Sequence, residues 1–167
     1  MDRWPLHRSF TLTALPNAAF WARRFVEEAL EQWGFDADEA FAYRVKLVAT
    51  ELVTNAAKAS GTLSDEEGQR YNRCPMSLHY AELARLGYVR LRLFSDGWRQ
   101  ILIVVWDKSN EPPIMRWPGM DEECGRGLLL VQDLCTRWGW QPVRNDAKHH
   151  GKVVWATLTA ETPASPR

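Results

Sequence analysis

The sequence predicts an α+β fold, a two-layer sandwich whose helices cover one face of a mostly antiparallel sheet. Three observations predict it. Two early segments carry apolar residues at helical spacing, Asp96-Gly97 separates two strand-like runs, and a second pair of such runs closes the chain. Taken in order, Phe10-Thr11-Leu12-Thr13-Ala14-Leu15 reads as a first strand, closed by Pro16-Asn17. From Ala18 to Trp33 the residues Phe20, Trp21, Phe25, Val26, Ala29, Leu30 and Trp33 recur with the helix period, and Gly34 supplies a stop. Asp36-Ala37-Asp38-Glu39 has the form of a capping box opening a long second helix. Its buried stripe is Phe41, Val45, Val48, Leu52 and Ala56, and Gly61 ends it.

Residues 62–80 are polar, contain Gly68 and Pro75 and show no period, which predicts a long mobile loop with room for a short helix. Tyr88 to Phe94 alternates with period two, and Gln100 to Trp106 is almost continuously apolar, as a central strand requires. Gly127 to Trp138 reads as a third helix. Trp138 to Val143 and Lys152 to Thr159 form the final hairpin. Residues 1–161 are expected to be one domain, and 162–167, rich in Pro and small residues, a disordered tail.

At 167 residues the chain is long enough for one core that buries roughly 70% of the unfolded surface. Twenty-one basic and 21 acidic residues cancel, so no broad field steers the protein to nucleic acid or an anionic membrane. No apolar run approaches the ~20 residues that span a bilayer, and the start lacks the apolar stretch of a secretory signal. Cys74, Cys124 and Cys135 are an odd count at spacings that suit neither a disulfide framework nor a metal site. These features predict a cytoplasmic protein. The nine Trp residues read as core and rim packing.

The chemistry begins on the second helix. Residues four apart lie about 40° apart around a helix axis, so Glu51 and Asn55 share one face. A carboxylate beside a carboxamide oxygen suits Mg²⁺ and a polarised hydroxyl. In isolation such a pair is usually a solvated stripe. Asp107 ends the apolar strand, where a carboxylate is most often a turn former. Its other use is to accept a hydrogen bond from an exocyclic amine at the floor of a pocket. Gly125 and Gly127 precede a helix, so their amides are free to approach an anion.

Order and spacing raise these separate signals. Glu51-Leu52-Val53-Thr54-Asn55-Ala56, then Val105-Trp106-Asp107 with Pro112-Pro113, then Gly125-Arg126-Gly127-Leu128, and last Gly151-Lys152-Val153-Val154-Trp155 resemble the motifs of the GHKL-type ATPases. More narrowly, they resemble the actinobacterial branch of the anti-sigma-factor serine/threonine kinases, over roughly residues 8–160. The resemblance implies ATP and Mg²⁺ as cofactors. It makes Asn55 the Mg²⁺ ligand, Glu51 the residue that orients or deprotonates the acceptor hydroxyl, and Asp107 the partner of the adenine amino group. It assigns phosphate contacts to Gly125, Arg126 and Gly127, with Lys58, Ser109 and Leu128 completing the nucleotide site and residues 109–124 a lid. It also implies a homodimer that binds a sigma factor and an antagonist protein.

Two departures stand out. Lys108-Ser109-Asn110-Glu111 follows Asp107 where the wider superfamily has glycines. Val153 stands where many relatives have a Thr near adenine, a loss of one hydrogen bond and so roughly fivefold to tenfold in affinity. An active kinase and a nucleotide-responsive module that holds a partner without transferring phosphate therefore both stay open. A histidine-kinase fragment does not fit, because none of the four His residues sits on a helical hairpin pattern.

Overall fold

The computed structural model describes residues 3–115, 127–143 and 150–164. Five strands, β1 (Leu6–Thr13), β2 (Tyr88–Ser95), β3 (Gln100–Asp107), β4 (Arg137–Pro142) and β5 (Lys152–Thr159), form one sheet. Its order is β1-β2-β3-β5-β4, and every neighbouring pair is antiparallel. Alternation sorts the strands into two faces. Leu91 and Leu93 of β2, Ile101, Ile103 and Val105 of β3, and Val154, Ala156 and Leu158 of β5 are buried on one of them. The core there is closed by α1 (Ala18–Gln32) and α2 (Glu39–Ser60), through Val26, Leu30, Phe41, Val45, Val48 and Leu52. Each such side chain contributes about 1.5–3 kcal/mol when fully buried. The fold class is therefore the one the sequence predicts.

Local chemistry moves several boundaries. β1 starts at Leu6, earlier than Phe10, because its whole length pairs with β2 from Leu6↔Ser95 to Thr13↔Tyr88. The α2 cap is Asp38, which accepts the Phe41 amide at 2.9 Å, so the box expected from Asp36 lies two residues early. α5 (Gly127–Leu134) stops four residues before Trp138. Its apolar continuation pairs instead with β5, Trp138 lying opposite Ala156. Asp96 Oδ1 accepts the amides of Trp98, Arg99 and Gln100, with Gly97 at φ 73, and so closes the β2–β3 hairpin.

The expected loop at 62–80 is mostly helical. It contains α3 (Asp65–Arg73), a 3₁₀ turn (Pro75–Ser77) and the start of α4 (Tyr80–Arg85). Ser64 and Glu67 form a reciprocal capping box: the Ser64 hydroxyl accepts the Glu67 amide at 3.3 Å and Glu67 accepts the Ser64 amide at 2.8 Å. Ion pairs Glu67–Arg85 and Arg70–Glu82 tie α3 to α4. The helix buries little besides Tyr71 and Glu67, so it carries no hydrophobic period for a sequence reading to find. Ser64→Ala should cost about 1 kcal/mol locally, read as about fivefold faster hydrogen exchange of the α3 amides. Unchanged exchange would mean the ion pairs alone hold the helix.

Of the tryptophans, Trp33 and Trp138 pack at the rim of the core as expected. Trp33, Trp106, Trp138 and Trp155 are half-buried, Trp21, Trp98 and Trp140 exposed, and none of those described is fully buried. Trp106 lies on the sheet face opposite the helices, where its ring sits 5.0 Å from that of Tyr88. Leu12 and Phe25 belong to the core, whereas Phe20 and Trp21 of α1 are exposed. Cys74 and Cys135 are free thiols. Cys124 lies outside the described residues. Among the described residues no helix is long and apolar enough to cross a membrane.

Candidate functional site

A cavity of about 400 Å³ opens between α2, the end of β3, the start of β5 and the start of α5, a size in the range of small-molecule sites. α2 is amphipathic around its buried stripe, so Glu51, Thr54, Asn55 and Lys58 fall along the edge of the core and line this cavity. Glu51 and Asn55 are half-buried and Lys58 is exposed. Gly127, the first residue of α5, closes in on the same pair. A methyl group there would lie 2.5 Å from Glu51 Oε2 and 3.5 Å from Asn55 Nδ2. Only glycine lets the start of α5 approach these two side chains, and Leu128 follows it into the wall.

Asp107 ends β3 with no exposed surface. Its two oxygens have different surroundings. Oδ1 accepts the Ser109 amide at 2.9 Å and the Lys152 ammonium at 2.8 Å. Oδ2 is buried and has no partner among the described residues. The turn-forming reading of this residue is met by Oδ1, which accepts the Ser109 amide. Burial pushes the carboxyl pKa up, against the opposing pull of Lys152 and the Ser109 amide.

The run after Asp107, which has no glycine, folds by side-chain caps. Ser109 Oγ accepts the Glu111 amide at 3.2 Å, and Asn110 Oδ1 accepts the Gly151 amide at 3.0 Å. Ser109, Glu111, Pro112, Pro113 and Ile114 then line the cavity. Gly151 is required where it stands, at φ 139, since a Cβ would meet the Asp107 carbonyl oxygen at 2.2 Å.

The register of β5 corrects one reading. Val153 pairs with Trp106, and so lies on the face away from Asp107; Lys152 pairs with Asp107 itself. Lys152, 4% exposed, and Val154 line the cavity, and Val153 does not. The side chain beside the floor carboxylate is therefore that of Lys152, an ammonium, and not that of Val153. Lys152 was missed because Lys in a strand usually signals a solvated position. The available signal was the strand's own alternation, Lys152, Val154, Ala156 and Leu158 sharing one face.

Of the residues singled out from sequence, Glu51, Asn55, Lys58, Asp107, Ser109, Gly127 and Leu128 converge on this one cavity. Gly125 and Arg126 lie outside the described residues, as does the lid beyond residue 115. Chemically the cavity is lined at its floor by Asp107, one oxygen of which has no partner among the described residues, and at α2 by a carboxylate and a carboxamide against the start of α5. Those donor and acceptor types suit a nucleotide: the floor matches an exocyclic amine, and the Asn55 oxygen matches a hard cation.

A family model described as a histidine kinase-like ATPase domain matches residues 12–158. No curated protein matches the chain. Among solved structures the chain is similar to the crystal structure of the RsbU and RsbW domains of Rv1364c from Mycobacterium tuberculosis. That similarity covers 97% of this chain at a TM-score of 0.52 and 18% identity, and is a likeness of fold. The chain spans about a third (34%) of the length of that protein chain.

Proposed function

Because the chain belongs to the histidine kinase-like ATPase family, we propose that it is an ATP-binding regulator of the anti-sigma-factor type, a serine/threonine kinase acting on an antagonist protein. The observation that carries this reading is the divided carboxylate of Asp107: its Oδ2 is buried without a partner among the described residues, and Asp107 lines the same cavity as Glu51, Asn55 and Gly127. Asp107 Oδ2 accepts from the adenine amino group. The Asn55 oxygen would hold Mg²⁺, which would supply positive charge to the phosphate oxygens. Glu51 takes the proton of the acceptor Ser or Thr hydroxyl, which replaces ADP on the transferred phosphorus. Lys58, at the rim, Gly125 and Arg126, before α5, and Gly127, its first residue, hold phosphate oxygens. The partners of this reading are a sigma factor and its antagonist, bound by a homodimer of the actinobacterial type.

A second reading, a nucleotide-responsive module without transfer, is favoured by Lys152, whose ammonium already holds one oxygen of Asp107. Titration with ATP by calorimetry separates the outcomes. The kinase reading expects micromolar binding that depends on Mg²⁺, lost in Asn55→Ala and weakened at least tenfold in Asp107→Ala. Binding that is indifferent to Mg²⁺ and to Asn55→Ala would favour the module. No binding at millimolar ATP would remove nucleotide from the function.

A further inference from the structure

Lys152 has more donors than its pair with Asp107 consumes. An ammonium carries three N–H groups, and among the described residues one is used, on Asp107 Oδ1 at 2.8 Å. The side chain is nearly buried and lines the cavity. Asp107 Oδ1 is already served by two donors, Lys152 and the Ser109 amide, while Oδ2 has none. An acceptor without a partner and a donor with protons to spare thus stand side by side on two residues of the cavity lining. Buried polar groups left unpaired are costly, so a ligand seated there gains most by offering a donor and an acceptor on adjacent atoms. The pairing edge of adenine has that order, an amino N–H beside the ring nitrogen N1. Guanine has the reverse, a carbonyl oxygen beside an N–H, which sets acceptor against acceptor at Oδ2.

We propose that Lys152 is a specificity-determining residue that donates a hydrogen bond to adenine N1 while Asp107 Oδ2 accepts from the adjacent amino group. The inference rests on the ATP reading above and deepens it. Under it, Lys152 does not block the floor; it holds Asp107 Oδ1 so that Oδ2 stays free, and reads the neighbouring ring atom. The donor is charged, so the contact is stronger than one from a hydroxyl.

The test is calorimetric titration of the whole chain with ATP, GTP and 1-deaza-ATP, in which a C–H replaces N1. The wild-type protein should prefer ATP over 1-deaza-ATP by about tenfold or more, and Lys152→Met should bind the two alike. Because Lys152→Met leaves a buried carboxylate uncompensated, the double variant Asp107→Asn/Lys152→Met is the second arm. It too should bind both alike, whereas Asp107→Asn alone keeps the preference. A wild-type ratio retained in both Lys152 variants overturns the proposal, as does wild-type protein that binds ATP and 1-deaza-ATP equally or takes GTP as well as ATP. In those cases ATP binding itself stands. Failure of ATP to bind the wild-type protein would overturn the nucleotide reading and this inference together.

Discussion

Glu51→Gln should lower phosphoryl transfer by about 10²–10⁴-fold, the usual contribution of a positioned general base, while ATP affinity stays within about threefold. Gln keeps the volume of Glu against the start of α5, where Glu51 Oε2 lies 2.5 Å from the place a Gly127 methyl would take. It removes the basicity and the negative charge, and turns one acceptor oxygen into an amide donor. Glu51→Ala should show the same loss, with the wall of the cavity opened as well. The measurement is ADP formed from ATP and Mg²⁺, with and without acceptor protein, beside an ATP titration of each variant. Normal turnover in Glu51→Gln would make Glu51 a packing residue at the α2–α5 contact and would end its assignment as base. Loss of ATP binding in parallel with turnover would place Glu51 among the nucleotide contacts instead.

Lys152→Met should destabilise the protein by about 3 kcal/mol, the cost of stranding one charge of a buried pair. For a domain of this size that is roughly 6–12 °C in Tm. The deficit should depend on pH in a stated direction. Asp107 has no exposed surface, and burial already raises its carboxyl pKa above the ordinary value. Without Lys152 the main force opposing that rise is gone. A carboxyl whose pKa is raised on folding binds its proton more tightly in the native state. Its contribution to stability is therefore fully present below the unfolded pKa of about 3.9 and is lost as pH rises through the folded pKa. The Tm gap between Lys152→Met and wild type should consequently narrow as pH is lowered from about 7 toward about 5. A gap that stays constant over that range would mean that Asp107 is not the stranded group. A gap absent at neutral pH would mean that water replaces the ammonium at no cost.

The elements were legible wherever the hydrophobic period carried the energy of the fold. The α2 stripe Phe41, Val45, Val48, Leu52 and Ala56 is buried as read, and β5 spans Lys152–Thr159 as read. The helix at Asp65–Arg73 was illegible for the converse reason. It rests on a capping box and two ion pairs, which leave no apolar period. The boundary between α5 and β4 was missed because Leu134, Cys135 and Trp138 suit a helix and a strand equally, and only pairing with β5 decides between them.

What the sequence by itself determined is the fold class and part of the lining of one cavity. Period two and period 3.6 place side chains on faces, and Glu51, Asn55, Asp107 and Gly127 stand at the ends and edges of those elements. Only the tertiary structure decided how the floor of the site is wired. Strand register is a relation between segments 45 residues apart, Asp107 and Lys152. A slip of one residue would exchange Lys152 for Val153 at the carboxylate, because successive side chains of a strand point to opposite faces. That pairing set a buried ammonium beside the carboxylate, and left the other oxygen of Asp107 without a partner among the described residues.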